Sequence, residues 1–351
     1  MKGMKLNLKI LFHCPSKRVG GSQILLTTLA RQLLARGHTV VFTSSSDTFR
    51  TDPVPYHRVE TLDDMSSLMA SFQPDFLLFS NSPLPVAAQE MSESCAQTIE
   101  IVQSNRQLES EALIYPHEFT DHHVFVSDSA RRFFYAPLPD SVSTVIPNGL
   151  DLARFPRCDR SGRDRLTVLT VGSVQAAGKN ALDILDVASG LPPSRFRFVH
   201  VGGGPASAGA FNRSARLPEG VDFTHIPWSE RIEDHYREAD LFLSFSRHEG
   251  FGLAIAEAAA SGLPLVLRRC YGITECIEDG KQALYCDEIQ DFISRIETLA
   301  EDRPLRERLG AAARMRIEAG FDLASMVDAY ENLLIELKLK SREASGTPTM
   351  E

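Results

Sequence analysis

The sequence predicts an α/β fold built from two doubly wound parallel sheets, one in each of two domains. Strand-length apolar runs alternate with helix-length segments through most of the chain, beginning with LKILFHC, TVVFTS and DFLLFS. Parallel strands need long crossover connections, which the intervening helical segments supply. At 351 residues the chain is longer than one ordinary domain of this type, and two domains imply a cleft in which ligands usually bind.

The first domain is expected to span residues 1–155. Its later strands are TIEIVQ, HVFVS and STVIP. The first crossover helix is predicted from the leucines spaced along SQILLTTLARQLLARG, with Ser22 as N-cap and Gly37 as C-cap.

The second domain is expected to span residues 163–320, after a polar, arginine-rich linker at about residues 151–165. Its predicted strands are RLTVLTVGS, RFRFVHVGGG, DFTHI, DLFLSFS, LPLVL and ALYC. An amphipathic helix over residues 324–339 is a candidate to pack back onto the first domain. Residues 340–351 are polar and are predicted to form a disordered tail.

Composition excludes several function classes. A net charge of -9 argues against a nucleic-acid partner, which a broadly basic surface would bind. The six cysteines form no CxxC pair and have no metal-ligand spacing, so we expect reduced thiols, no disulfide and no zinc. No apolar run approaches the roughly 20 residues of a membrane span. These features predict a cytoplasmic protein, with peripheral contact at the inner membrane face left open.

Two glutamates in the stretch SRHEGFGLAIAEAAASGLP are the first candidate site residues. Glu249 precedes a glycine turn, and Glu257 lies about one turn inside an alanine-rich helix. A carboxylate in such a helix is costly unless it is paired or accepts hydrogen bonds, and a ribose diol can donate to both of its oxygens. The alternative is that Glu257 lies on a solvated face and that Glu249 only complements the helix dipole.

The turn between the two glutamates is a candidate phosphate site. In open α/β sheets a helix that begins at the carboxyl end of a strand directs its free N–H groups at a ligand. Here the strand is DLFLSFS, and the donors would be the N–H groups of Phe251, Gly252 and Leu253.

These residues also resemble a known family. EGFGLAIAE resembles the glutamate, seven residues, glutamate motif of the retaining GT-B glycosyltransferases of family four, also called glycosyl transferases group 1. The resemblance extends to GGSQILLTTLARQLLARGHTVVFTS, VFVSDSARRFF, VIPNGLDLARF and GITECIEDGKQALY. It implies a GT-B fold, with two Rossmann-like domains that face each other across a cleft.

The resemblance implies roles for residues of the second domain. Glu257 would hold the donor ribose, and Glu249 would lie beside the donor sugar. Similar enzymes hold the donor diphosphate with an arginine and a lysine in a segment that corresponds to VGSVQAAGKN. In this chain Ser173 occupies the arginine position, and Lys179 lies one residue later than the usual lysine; its alternative is an exposed lysine at a helix start.

The missing arginine leaves the source of positive charge open. Arg268 and Arg269 are candidates for replacement charge, with a solvated pair as the alternative.

In the first domain the resemblance places the backbone of Gly20 and Gly21 against the donor phosphate, with a tight turn as the alternative. Family members commonly have a histidine that contacts the donor sugar near the end of TIEIVQ, where this chain has Gln103. An amide can bind a sugar hydroxyl, on the donor or acceptor side, but it cannot titrate.

Two further features are interpreted as structural. The group His117, Asp121, His122 and His123 is interpreted as surface polarity before a strand and not as a metal site. Trp228 is expected in the core, with contact to the nucleotide base as the alternative.

The resulting expectation is a retaining, metal-independent glycosyltransferase without a cofactor. It would transfer a sugar from a nucleotide diphosphate sugar to a glycan, lipid-linked or small-molecule acceptor in polysaccharide or glycoconjugate biosynthesis. The alternatives are a sugar nucleotide epimerase on the same scaffold, or a GT-B binding or scaffold protein without activity.

Overall fold

The structure is a computed structural model that describes residues 6–15, 20–46, 51–80, 82, 96–104, 120–134, 137–158, 160, 165–174, 178–203, 207, 209–211 and 217–344. The chain folds into two compact units. Unit 1 comprises Met1–Gln107, Glu111–Asn148 and Ala324–Glu351, and unit 2 is built from Gly149–Leu323.

Unit 1 contains a parallel sheet with the strand order β3-β2-β1-β4-β5-β6-β7. Its strands are β1 (Lys9–His13), β2 (Thr39–Ser44), β3 (Tyr56–Arg58), β4 (Phe76–Phe79), β5 (Gln97–Val102), β6 (His122–Phe125) and β7 (Ser143–Val145). The central strands are continuous apolar runs because helices cover both faces of such a sheet. The edge strand β3 was not predicted, since its sequence YHR is polar and largely exposed.

The described helices between these strands are α1 (Gly21–Ala35), α2 (Leu62–Phe72) and α3 (Asp128–Arg132). Helix α1 begins after Gly20, so the prediction of Ser22 as its N-cap was wrong. The N–H of Gly20 donates to Oε1 of Gln23 at 2.6 Å. The side chain of the third helical residue therefore accepts from the N–H of the capping glycine, which has no side chain with which to cap the helix itself.

Unit 2 contains a second parallel sheet, with the order β10-β9-β8-β11-β12-β13. Its strands are β8 (Leu166–Val171), β9 (Phe196–Val201), β10 (Asp222–Ile226), β11 (Leu241–Ser244), β12 (Leu265–Arg268) and β13 (Ala283–Cys286). Its described helices include α4 (Asp183–Ser189), α5 (Ile232–Glu238), α6 (Leu253–Ala260), α7 (Ile289–Glu301) and α8 (Arg303–Glu318). The predicted α/β class with two parallel sheets is confirmed.

The strand order of unit 2 places the site. Strand β8 has β9 on one side and β11 on the other, so successive connections leave β8 in opposite directions. A crevice opens at the carboxyl ends of the two strands where the order reverses, and ligands of open α/β sheets bind there. The loops that follow β8 and β11 therefore form the expected ligand site.

The helix after α8 is α9 (Leu323–Ala344), which packs within unit 1 from Ala324 onward. Arg36 forms ion pairs of 2.5 Å with both Asp328 and Glu331. The apolar face of the helix is buried through Val327, Tyr330 and Leu334.

Helix α9 also continues beyond residue 339, so residues 340–344 are helical and not part of a disordered tail. Lys340 pairs with Glu336 one turn earlier at 2.6 Å, which supports a helix of polar sequence. Residues 345–351 lie outside the described part of the chain. Among the helices that the structure describes, none combines the length and apolarity needed to cross a membrane.

Candidate functional site

The loops after β8 and β11 meet at the carboxyl edge of the second sheet. Nζ of Lys179 lies 2.5 Å from Oε2 of Glu249, in a partly buried ion pair. The backbone N–H of Arg247 donates to the carbonyl oxygen of Gly178 at 2.8 Å. Two residues that were singled out 70 positions apart in the sequence are thus in direct contact.

Glycines determine the shape of the loop that carries Glu249. Gly252 is the N-cap of α6 and has a φ of 99°, and a Cβ atom there would lie 2.7 Å from Cγ2 of Ile273. A Cβ atom on Gly272 would lie 2.6 Å from the carbonyl oxygen of Glu249. Both positions exclude a larger residue, because each combines a left-handed backbone with a close contact.

Helix α6 begins at Leu253, directly after this turn. Its capping residue has no side chain, so the N–H groups of its first turn receive no side-chain cap. Phe251 is buried and packs edge to face against Phe321, with ring centroids 5.5 Å apart. The contact between Phe251 and Phe321 therefore holds the turn in place, and the backbone N–H groups of the turn lie at the start of the helix.

Glu257 lies on the fifth residue of α6 and is held by Tyr236 of α5. The Tyr236 hydroxyl donates to Oε2 of Glu257 at 2.8 Å, and the carbonyl oxygen of Ala254 is a second acceptor at 3.2 Å. Burial raises the pKa of the Glu257 carboxyl to about 7, against the opposing effects of the Tyr236 hydrogen bond and of Arg154. Near neutral pH this group changes between a proton donor and an anionic acceptor.

The positive charges near the site differ from those expected. Ser173 lies two residues beyond the end of β8 and is partly buried. Arg268 donates to the carbonyl oxygen of Asp287 at 2.6 Å, and Arg269 lies 3.3 Å from Asp279. Both candidate replacements for the missing arginine are therefore engaged with other groups.

Arg247 is a cation that the sequence reasoning missed. Its guanidinium is close enough to Asp183 to oppose the rise in the pKa of Asp183 that burial causes. Arg247 lies inside the stretch SRHEGFG, two positions before Glu249, and this proximity could have identified it as a candidate.

Unit 1 brings together its own group of expected site residues. Nε2 of Gln103 donates to the carbonyl oxygen of Ser22 at 3.4 Å, beside the start of α1 at Gly20 and Gly21. His13, which was not singled out, ends β1 at the same edge of the sheet and is buried, with its Nδ1 3.0 Å from Oγ1 of Thr43. Burial lowers the pKa of His13 to about 4.

The interpretation of the group around His122 and His123 as surface polarity was wrong. His122 and His123 are buried in β6, and Nε2 of His123 lies 3.6 Å from Oε2 of the buried Glu100. Asp121 accepts hydrogen bonds from Thr98, and His117 lies outside the described residues. In the described ranges, no group of three or more His, Cys, Asp or Glu side chains could hold a metal ion.

The position of Trp228 also differs from the expectation. The side chain follows β10 and is 54% exposed, so the expectation of core packing was wrong.

Comparison with known proteins shows that the chain is similar to glycosyltransferases. Residues 165–302 match the family model described as glycosyl transferases group 1. The chain is 31% identical over 157 residues to the sulfoquinovosyl transferase SQD2 of Arabidopsis thaliana, which covers 43% of this chain and 30% of that protein. It is 28% identical over 215 residues to a glycogen synthase of Mycobacterium tuberculosis, which covers 57% of this chain and 50% of that protein. The chain thus spans half or less of the length of these curated relatives.

Solved structures support the fold. The structure of Anabaena HepE in complex with UDP-glucose superimposes with a TM-score of 0.78 at 16% identity, over 94% of this chain and 100% of that one. The predicted GT-B fold, with two Rossmann-like domains, is confirmed at this level of similarity.

Proposed function

We propose that the chain, whose residues 165–302 match the family model described as glycosyl transferases group 1, transfers a sugar from a nucleotide diphosphate sugar to an acceptor with retention of configuration. The observation that carries the proposal is the contact of Lys179 with Glu249 at the point where the strand order of unit 2 reverses. The carboxyl edge of the sheet thus combines a cation, a carboxylate and the N–H groups of a helix start. This combination suits a ligand that contains a diphosphate and a sugar.

The donor nucleotide would bind along the start of α6. The two ribose hydroxyls would donate to the Glu257 carboxylate, whose orientation Tyr236 fixes through its 2.8 Å hydrogen bond. The N–H groups of Phe251, Gly252 and Leu253 would face the diphosphate, because the helix begins there without a side-chain cap.

Lys179 would stabilise the charge that grows on the departing diphosphate. Its ammonium forms an ion pair with Glu249, so the diphosphate would compete with that carboxylate for the lysine. As the bond between the anomeric carbon and the diphosphate oxygen breaks, a nearby positive charge lowers the barrier. Glu249 would then be available beside the donor sugar.

Retention would follow from attack on the same face as the departing group. The acceptor hydroxyl oxygen forms the new bond to the anomeric carbon while the bond to the diphosphate oxygen breaks. The hydroxyl proton passes to an oxygen of the leaving phosphate. This route needs no covalent enzyme intermediate and no bound metal.

In unit 1, the backbone at Gly20 and Gly21 would approach the donor phosphate, and Gln103 would bind a hydroxyl of the donor sugar or of the acceptor. The hydrogen bond from Gln103 to Ser22 supports this grouping, since it holds the amide beside the helix start. We propose a glycan, a lipid-linked glycan or a small molecule as the acceptor. The reaction would occur in the cytoplasm, with peripheral contact at the inner membrane face for a lipid-linked acceptor.

A calorimetric panel of UDP, GDP, ADP and dTDP sugars tests the donor site. UDP-glucose is the first choice because the structurally similar HepE was crystallised with it. We expect one nucleotide to bind, and we expect turnover once an acceptor is supplied. Lys179→Ala should lower turnover by about 100-fold or more and weaken donor binding less, because only interactions that strengthen in the transition state accelerate the reaction.

The matched control is Lys281→Ala. Lys281 also pairs with a glutamate of unit 2, Glu278, at 2.9 Å, but it is exposed in a loop before β13. If the two lysine variants lowered turnover equally, the proposed role of Lys179 would be contradicted. Donor binding without turnover across a broad acceptor panel would favour a binding protein instead.

A further inference from the structure

A charged cavity lies at the amino edge of the unit 2 sheet. Its volume is about 440 Å³, and its charged lining residues are Arg157, Arg160, Asp240, Arg303, Arg306 and Glu307. Asp240 directly precedes β11, and Pro264, which also lines the cavity, directly precedes β12. Lys179 and Glu249 follow the carboxyl ends of strands, so the cavity lies at the opposite edge of the sheet.

Two of the four arginines are held in place by backbone carbonyl groups. Arg160 donates to the carbonyl oxygens of Ala239 at 2.7 Å and of Ser261 at 3.0 Å. Arg306 donates to the carbonyl oxygen of Ala300 at 3.1 Å. These carbonyl contacts hold the two guanidinium groups at the cavity.

Arg303 and Arg306 lie in the first turn of α8, where the helix dipole disfavours cations. Burial lowers the pKa of Arg306, and the neighbouring Arg303 lowers it further, although Asp240 opposes the change. Asp240 also accepts a hydrogen bond from the backbone N–H of Thr167 at 2.8 Å. A bound anion would relieve the repulsion between these two arginines.

Arg157 provides charge on the other side of the cavity. Its side chain lies across Gly262, where an added Cβ atom would be 3.3 Å from Cγ of Arg157. Arg157 is exposed and has no hydrogen-bond or ion-pair partner within the described part of the chain. Glu307, one of the two lining carboxylates, is paired with Arg303 at 2.7 Å. Among the described lining residues there are thus four guanidinium groups and two carboxylates, and one of these carboxylates is paired with Arg303.

We propose that this cavity binds a phosphate-bearing ligand, either a free phosphate ester or the phosphate of a lipid headgroup. Guanidinium groups present paired donors that match phosphate oxygens, and several around one cavity favour a group with more than one negative charge. The volume lies within the range of small-molecule sites. The inference does not depend on the proposed transferase activity.

Inorganic pyrophosphate is the first probe, titrated by calorimetry into the Lys179→Ala chain. This background weakens competing binding at the proposed donor site. Adding Arg157→Ala and Arg303→Ala should weaken pyrophosphate binding about tenfold or more, because hydrogen bonds to charged groups are among the strongest in proteins. Both side chains are exposed, so we expect the thermal unfolding midpoint to stay unchanged.

Arg308→Ala is the matched control, since Arg308 lies on the same helix and is exposed but does not line the cavity. In a parallel arm, the unmodified chain is sedimented with vesicles of phosphatidylcholine, with and without phosphatidylglycerol. Recruitment to the anionic vesicles that is lost in Arg157→Ala/Arg303→Ala would identify the headgroup as the source. Pyrophosphate binding alone would identify a free phosphate ester. The proposal is overturned if neither probe binds, or if the double variant binds both as well as Arg308→Ala does.

Discussion

Donor binding is expected to strengthen as the pH rises through about 7, because the ionised carboxylate of Glu257, the proposed ribose acceptor, accepts hydroxyl hydrogen bonds more strongly than the protonated acid does. Burial raises the pKa of this carboxyl from 4.5 to about 7. Two ribose hydroxyls can each donate to one oxygen of the carboxylate, whereas protonation turns one of these oxygens into an O–H donor and a weaker acceptor. A bound ribose should therefore lower the pKa of Glu257, and binding below pH 7 should release a proton.

The magnitude follows from the two pKa values. A difference of about 2.5 between 4.5 and 7 corresponds to about 3 kcal/mol at 1.36 kcal/mol per pKa unit. This value is the upper limit of what binding can recover by restoring the ordinary pKa. Below pH 7, each further decrease of one pH unit should therefore raise the Kd of UDP by up to about tenfold.

Tyr236 gives a second perturbation in the opposite sense. Its hydroxyl holds the Glu257 carboxylate at 2.8 Å and lowers the pKa of that carboxyl. Tyr236→Phe removes this hydrogen bond and should move the midpoint of the pH profile upward. Arg154 also lowers the pKa of Glu257 and Glu233 raises it, so both residues must be kept in the variants that are compared.

The assay is calorimetry of the donor nucleotide from about pH 5.5 to 8.5, a range that spans the expected transition. The second ionisation of a phosphate, near pH 6, adds its own pH dependence. Glu257→Gln isolates the protein contribution, since it keeps the shape of the side chain and cannot titrate. The reasoning is refuted if Glu257→Gln and the unmodified chain give parallel pH profiles, or if UDP and its 2′-deoxy analogue lose affinity equally in Glu257→Gln.

Four further outcomes are expected. Because the pKa of Glu257 is raised on folding, its contribution to stability is fully present below about pH 4.5 and is lost as the pH rises through about 7. Chemical denaturation without ligand should therefore show that Glu257→Gln is more stable than the unmodified chain at pH 8 but not at pH 4.5. Glu249→Gln should free Lys179 and tighten nucleoside diphosphate binding about twofold to fivefold while turnover falls, and weaker binding would contradict the competition between carboxylate and phosphate. Gly310→Ala would place a Cβ atom 2.2 Å from a backbone carbonyl oxygen and should lower the free energy of unfolding by about 1 to 3 kcal/mol, whereas Gly209→Ala, with nothing within 4 Å, should not. Activity should survive EDTA, because the proposed phosphate site consists of N–H groups and a lysine; loss that magnesium or manganese restores would reveal a missed ligand set.

Much of the sheet architecture could be predicted from the sequence because the central strands are buried on both faces. LKILFHC and DLFLSFS are continuous apolar runs, and the structure places β1 and β11 within them. The edge strand β3 could not be found in the same way, since its three residues are polar and its place in the sheet depends on pairing with β2. His122 and His123 misled for a related reason, because their burial depends on neighbouring strands and not on their own polarity.

The sequence was enough to single out candidate site residues but not the contacts that they make. Glu249, Lys179 and Glu257 could be singled out from local patterns and from the family resemblance. The partner of Glu257 could not, since Tyr236 lies 21 positions earlier and reaches the carboxylate only through the packing of α5 against α6. Local sequence does not specify how two helices pack, so the pKa of this carboxyl also required the structure.

The ion pair between Lys179 and Glu249 shows how strand order, and not local sequence, brings these two candidate site residues together. Each residue lies in a loop that begins at the carboxyl end of a strand, and the two strands, β8 and β11, are neighbours only because the chain reverses its direction of winding after β10. Their side chains are 32% and 12% exposed, so water partly screens the attraction and a ligand can exchange with it at low cost. A fully buried pair would resist such exchange, since separating it would leave an uncompensated charge. Partial exposure at the strand reversal therefore suits the proposed role of Lys179, in which the ammonium exchanges a carboxylate for a phosphate.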